Sequence, residues 1–312
     1  MSDVAINMPG DRSEDTPEEI LEGKLIITDP LEPKTRWESW LDSFSDWVNP
    51  ILVKESRQAL KSRQFLATFT LLLVCCWVWS LLGVAIRMPG IFYVPGGKFM
   101  LVGYFLILAV PLLIIIPFSA FRSLAAERDD GTFELLSISA LRPWQIITGK
   151  LGSAALQMLI MLSVLAPCMT FTYLLRGVDI LFVASILFYG AVLCMLLSCL
   201  GLLLATLTRA RHWQVLISVG FILALGFHCF WICFGSGMFI VQNLAVIPFN
   251  QPEYWVGQAC ALTAVGCLAA VLLLAASARI SPRSENRSTR LRVAILVTHL
   301  ACLLYTSDAA DE

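Results

Sequence analysis

Residues 100–121 read MLVGYFLILAVPLLIIIPFSAF, 22 consecutive positions without an Asp, Glu, Lys or Arg. A helix needs about 20 mostly apolar residues to cross the hydrocarbon core. A charge at mid-membrane is costly, so an uncharged run of this length predicts a span. Five more runs share the property: 65–86, 151–175, 180–207, 213–240 and 256–278. The chain has 312 residues, is 58% apolar and 14% charged, and has a mean hydropathy of +0.77. A soluble domain would carry roughly a quarter charged residues. The strands of a membrane barrel would be short and alternating, unlike these runs. The expected fold is therefore all-α: a polytopic membrane protein with a six-helix transmembrane bundle.

Charge placement orients the bundle. The flank before run one holds Lys54, Arg57, Lys61 and Arg63, and the loop after run two holds Arg122, Arg128, Arg142 and Lys150. Arg209 and Arg211 follow run four; Arg279, Arg283, Arg287, Arg290 and Arg292 follow run six. These fifteen basic residues face three (Arg87, Lys98 and Arg176) in the alternate loops. The positive-inside rule then places the N-terminus and the segment after run six in the cytoplasm. The first 40 residues are acidic and polar, so no cleavable signal peptide is expected. A net charge of −1 gives no expectation of a nucleic-acid partner.

Outside the spans, residues 1–36 are expected to be a disordered acidic segment. Within 37–64, Trp37, Trp40, Leu41, Phe44, Trp47 and Val48 recur at helical spacing opposite Glu38, Asp42 and Asp46. That pattern is an amphipathic helix at the headgroup boundary, broken by Pro50. An interfacial anchor and a docking element fit it equally. Pro111 and Pro117 are expected to kink run two. Residues 279–301 form a basic segment and the start of a seventh, truncated span. Residues 302–312, CLLYTSDAADE, resemble a translated transposase-end sequencing adapter, which makes that stretch an expected artefact.

Cysteines sit mainly inside the runs, where they act as small apolar packing residues. His228 and Cys229 with Cys233 suggest a metal or redox fragment, but a zinc site needs about four ligands. Ordinary packing is the expectation there. Gly96-Gly97-Lys98 lacks the pattern of a phosphate loop and reads as a turn.

The loop 122–150 is the longest between runs. It carries Glu127-Arg128-Asp129-Asp130-Gly131-Thr132-Phe133-Glu134-Leu135-Leu136. Gly131 breaks the preceding helix, and Thr132 can cap a short helix over 133–137. Phe133, Leu135 and Leu136 make that helix sticky, while Glu134 and the acidic run ahead of it make it charged. It is a handle for a partner or a solvated connection. Pro143 suits the first turn of the next helix.

At this loop the chain resembles the membrane subunits of type-two, exporter-type ABC transporters. Their second and third spans are joined by a Glu-Arg-x-x-Gly-Thr-x-Glu-Leu-Leu pattern, then a Pro and a Gly-Lys, matched here by 127–136, Pro143 and Gly149-Lys150. The lead-in Asn49-Pro50-Ile51-Leu52-Val53-Lys54-Glu55-Ser56-Arg57-Gln58 is also similar to the family's segment before span one. The resemblance covers residues 45–280. It implies a permease with a cytoplasmic coupling helix at 127–136 and a connecting helix carrying Pro50, Lys54, Glu55 and Arg57. It implies a re-entrant outer segment at 241–255, partner ABC ATPase subunits that bind ATP and Mg²⁺, and a second permease chain. It also implies the cell inner membrane and a substrate path at the dimer interface, for which Gln157, Thr170, Thr172 and His228 are the polar candidates.

The chain has no Walker A lysine, so hydrolysis is expected in a partner and not here. It is expected to bind no cofactor directly. A non-transporting scaffold that anchors an ATPase complex is the alternative. An intramembrane enzyme is a poor fit: His228 and Ser236 would lie about 12 Å apart along one helix, and no run holds an Asp.

Overall fold

The computed structural model describes residues 50–88, 90, 93, 96–129, 143–175, 178–207, 210–241, 249–281 and 288–308. Among these residues the chain forms α-helices joined by one π-helical turn, with no strand. Six helical rods are long and apolar enough to cross a membrane. The protein is thus an all-α, six-span transmembrane bundle.

A short helix comes first: α1, Pro50–Lys61. Pro50 opens it, where a fixed φ and a missing N–H cost nothing. Span one is α2, Arg63–Arg87, and Ser62 separates it from α1. The Ser62 hydroxyl accepts from the Phe65 N–H at 3.1 Å and caps the new helix. The interfacial segment therefore ends at Ser62, and residues 63–64 belong to the span. The Trp-bearing stretch 37–48 lies outside the described residues.

Span two comprises α3 (Gly97–Val110), a π turn (Pro111–Ile115) and α4 (Ile116–Asp129). Spans three to six are α5 (Pro143–Leu174), α6 (Ile180–Ala205), α7 (Arg211–Val241) and α8 (Pro252–Ile280). A further helix, α9 (Ser288–Asp308), packs on α8 and runs on through residues 302–308.

Span two is the hub. In its most apolar window 61% of residues are buried, against 6–28% in the other spans. Its expected proline kink is resolved as the π turn. Pro111 and Pro117 offer no N–H to the carbonyls four residues before them. The widened turn lies between them, and the Ile116 N–H reaches the Pro111 carbonyl.

Small residues bring the neighbouring helices close. A Cβ on Gly103 would overlap the Trp79 ring. Trp79 also donates its indole N–H to the Met100 carbonyl at 3.2 Å, and Ser80 and Tyr104 share a hydrogen bond of 2.6 Å. These contacts zip span one to span two. Across the bundle, a Cβ on Gly201 would meet the Pro117 carbonyl oxygen at 2.9 Å and the Phe221 ring at 3.2 Å. Gln214, at the start of α7, donates to the Ala125 carbonyl on α4 at 3.3 Å.

At the opposite end, Arg87 sits over the Phe99 ring, 4.7 Å from its centroid. Phe249, Tyr254 and Trp255 cluster there, with the Trp255 indole donating to the Phe249 carbonyl at 2.9 Å. Such aromatics suit a membrane–water boundary. Of the expected re-entrant segment 241–255, residues 242–248 lie outside the described residues.

Candidate functional site at the α1 end of the bundle

Chain direction brings the end of α4, the start of α5 and α1 to one end of the bundle. α1 packs along α5, where Gly152 leaves room for Leu52: a Cβ at that position would come within 2.6 Å of Leu52 Cδ1. On α5, Ile146, Lys150, Ser153 and Ala154 are buried at three- and four-residue spacing. Lys150 thus sits on an otherwise inward-facing stripe and is only 3% exposed. A buried ammonium needs its charge balanced and its donors used.

Two carboxylates do this. Lys150 Nζ lies 3.0 Å from Glu55 Oε1 on α1 and 2.9 Å from Glu127 Oε1 on α4. Both carboxylates are largely shielded as well. One cation therefore crosslinks three helices whose residues are 95 and 23 positions away in sequence. Charge-assisted bonds of this length are among the stronger polar contacts. The chemistry is that of a joint: it fixes the relative positions of three segments.

The remaining sequence-derived residues fall as follows. Lys54 and Arg57 lie on the exposed face of α1, opposite to Glu55. Arg128 and Asp129 continue α4 to its end. Asp130, Gly131, Thr132, Phe133, Glu134, Leu135 and Leu136 lie outside the described residues, as does the whole stretch 130–142.

The four path candidates do not share one place. Gln157 lines a cavity of about 210 Å³ beside Lys150. Thr172 is fully buried further along the same helix and donates to the Met169 carbonyl at 2.7 Å. Thr170 is exposed and donates to the Ala166 carbonyl at 2.9 Å. His228 is on α7, and its Nε2 is buried with no hydrogen-bond partner. The next residue, Cys229, approaches Cys233 one turn on to 3.9 Å between the sulfurs. A second cavity, of about 220 Å³, lies among α3, the π turn, α6 and α7; its walls are almost wholly apolar, and it includes none of the four.

Lys150 is the residue that motif reading undervalued. It stood out only as one basic residue among others and as the end of a Gly-Lys pair. The available signal was its register: it shares the inward stripe with Ile146 and Ala154, where a lysine needs an acidic partner.

No protein-family model matches this chain, and no curated protein matches it.

Proposed function

We propose that the chain is the membrane subunit of an ATP-driven exporter of the ABC type. On this reading its N-terminus is cytoplasmic, it sits in the cell inner membrane, and it works with a second permease chain and separate ATPase subunits. Those subunits bind ATP and Mg²⁺ and carry out hydrolysis. The loop between spans two and three receives their motion, with Glu127–Leu136 as the contact. The uncharged spans suit a hydrophobic or amphipathic cargo.

The observation that carries the reading is the Lys150 joint. Glu127 and Lys150 are the two stems of the loop, and Glu55 belongs to the lead-in helix. A push on the loop is then delivered to spans two and three and to α1 together, not dissipated in one flexible connection. The two segments that carry the family resemblance are the ones the joint unites.

The test is the nucleotide sequence of the surrounding locus. An adjacent reading frame with a Walker A lysine and the features of an ABC ATPase is the expected result. A locus without one, in an organism where no such ATPase assembles with the full chain, would overturn the proposal.

A further inference from the structure

The 210 Å³ cavity beside the joint is a half-open cleft lined by α1, the start of α2, span two and α5. Its volume is several times the roughly 30 Å³ that a water molecule takes up in the liquid. One wall is polar and the other is apolar, formed by residues such as Phe65, Ile116 and Met161. Phe65 and Gln157 fall just inside the uncharged runs, so the cavity sits where the hydrocarbon core begins.

The polar wall has a definite hydrogen-bonding character. Thr68, Ser119 and Ser123 donate their hydroxyl protons to the carbonyls of Phe65, Ile116 and Ala120 within their own helices. Their oxygens keep lone pairs, so these hydroxyls face a ligand as acceptors. Gln58, Gln64 and Gln157 add amides that can donate or accept. The charged lining residues, Lys150 and Glu55, already engage each other. A phosphate head brings no donors for the hydroxyl oxygens and finds no uncommitted ammonium among the lining residues. A cationic head finds Glu55 already engaged. A head bearing neutral hydroxyl groups supplies donors to these hydroxyl oxygens and both gives to and accepts from the amides.

We infer that this cavity binds the head of a lipid bearing uncharged hydroxyl groups, a glycerol or sugar head. The first carbons of its chains lie on the apolar wall. On the orientation proposed above, this is a lipid of the cytoplasmic leaflet. The site itself does not depend on an ATPase partner, so it stands or falls separately from the exporter reading.

The test uses the full chain in phosphatidylcholine nanodiscs with trace photoreactive lipid. One probe is a glucosyl-diacylglycerol, the other a phosphatidic acid with the same photoreactive chain. Crosslinked peptides are mapped by mass spectrometry. The glucosyl probe is expected to label the peptides around Ser119 and Gln157 about five-fold more strongly than the phosphate probe, the difference of roughly one hydrogen bond. Ser119→Trp, which fills the cavity, and Gln157→Leu, which keeps the volume and removes the amide, should each lower that labelling. Unlabelled glucosyl lipid should displace the probe where free glucose does not. Equal labelling by the two probes would overturn the inference, as would displacement by free glucose. So would labelling unchanged by Gln157→Leu, the variant that decides the matter if Ser119→Trp fails to fold.

Discussion

Lys150 Nζ lies 3.0 Å from Glu55 Oε1, although 95 residues separate the two along the chain. The contact fastens the helix ahead of span one to the first turns of span three. Glu127 takes the same ammonium from the other side at 2.9 Å. Breaking a buried ion pair by removing one partner typically costs about 3–5 kcal/mol. Lys150→Met leaves two shielded carboxylates without their cation and should show a loss of that order. Glu55→Gln keeps an acceptor near the ammonium and leaves Glu127 to balance it, so about 1 kcal/mol is expected. Thermal unfolding of the detergent-solubilised chain checks the order: Lys150→Met well below Glu55→Gln, and Glu55→Gln just below the parent.

Gly201 sets the spacing of spans two and four. Its missing side chain accommodates a backbone oxygen, that of Pro117, which cannot rotate away. Gly201→Ala should therefore destabilise by about 1–3 kcal/mol through overpacking. At Gly226 a new methyl group meets nothing within 4 Å. Gly226→Ala should be neutral or stabilising, by up to about 1 kcal/mol, because glycine is the poorer helix former. The same unfolding assay on the two single variants separates a specific contact from a general intolerance of substitution.

Gly103 and Trp79 should behave as a coupled pair. A methyl group on Gly103 would overlap the indole ring. Gly103→Ala alone should destabilise, and Trp79→Leu alone should lose packing and the hydrogen bond to Met100. The double variant should be less damaged than the sum, with a coupling of about 0.5–3 kcal/mol. Strict additivity would mean that the ring does not occupy the space above Gly103.

Much of the fold was legible because one signal governs it. Uncharged runs of membrane length mark the spans, and each run lies within one helical rod to within two residues at its ends. Gly97–Glu127, for example, encloses the run 100–121. The π turn was less legible. Pro111 and Pro117 announce a disturbance, but the form of its repair depends on which helices press against span two. The Lys150 joint was legible only in pieces. Glu55, Glu127 and Lys150 each stood in a motif, yet a contact across 95 positions is fixed by the packing of α1 on α5, which no local pattern encodes. The substrate-path residues were the least legible. They were chosen as polar residues within spans, and Thr170 and Thr172 spend their hydroxyls on their own helix.

Loop 122–150 offers a prediction on coupling. Gly131→Pro should alter the link between the stems, and Glu134→Arg should reverse a charge at the proposed contact with the ATPase. In proteoliposomes holding the assembled complex, Gly131→Pro should retain ATP hydrolysis while transport falls, and Glu134→Arg should lose transport together with most of its bound ATPase. Unchanged transport in both would count against a coupling role for 127–136.

The central claim is that this chain works with a separate ATPase through that loop. The most direct measurement co-expresses the full chain with the ATPase from its own locus, purifies the complex, and compares the parent with Glu134→Arg. The account predicts that the parent retains the ATPase in equal amounts and that Glu134→Arg loses most of it. An ATPase that fails to bind the parent, or that binds Glu134→Arg just as well, would contradict it.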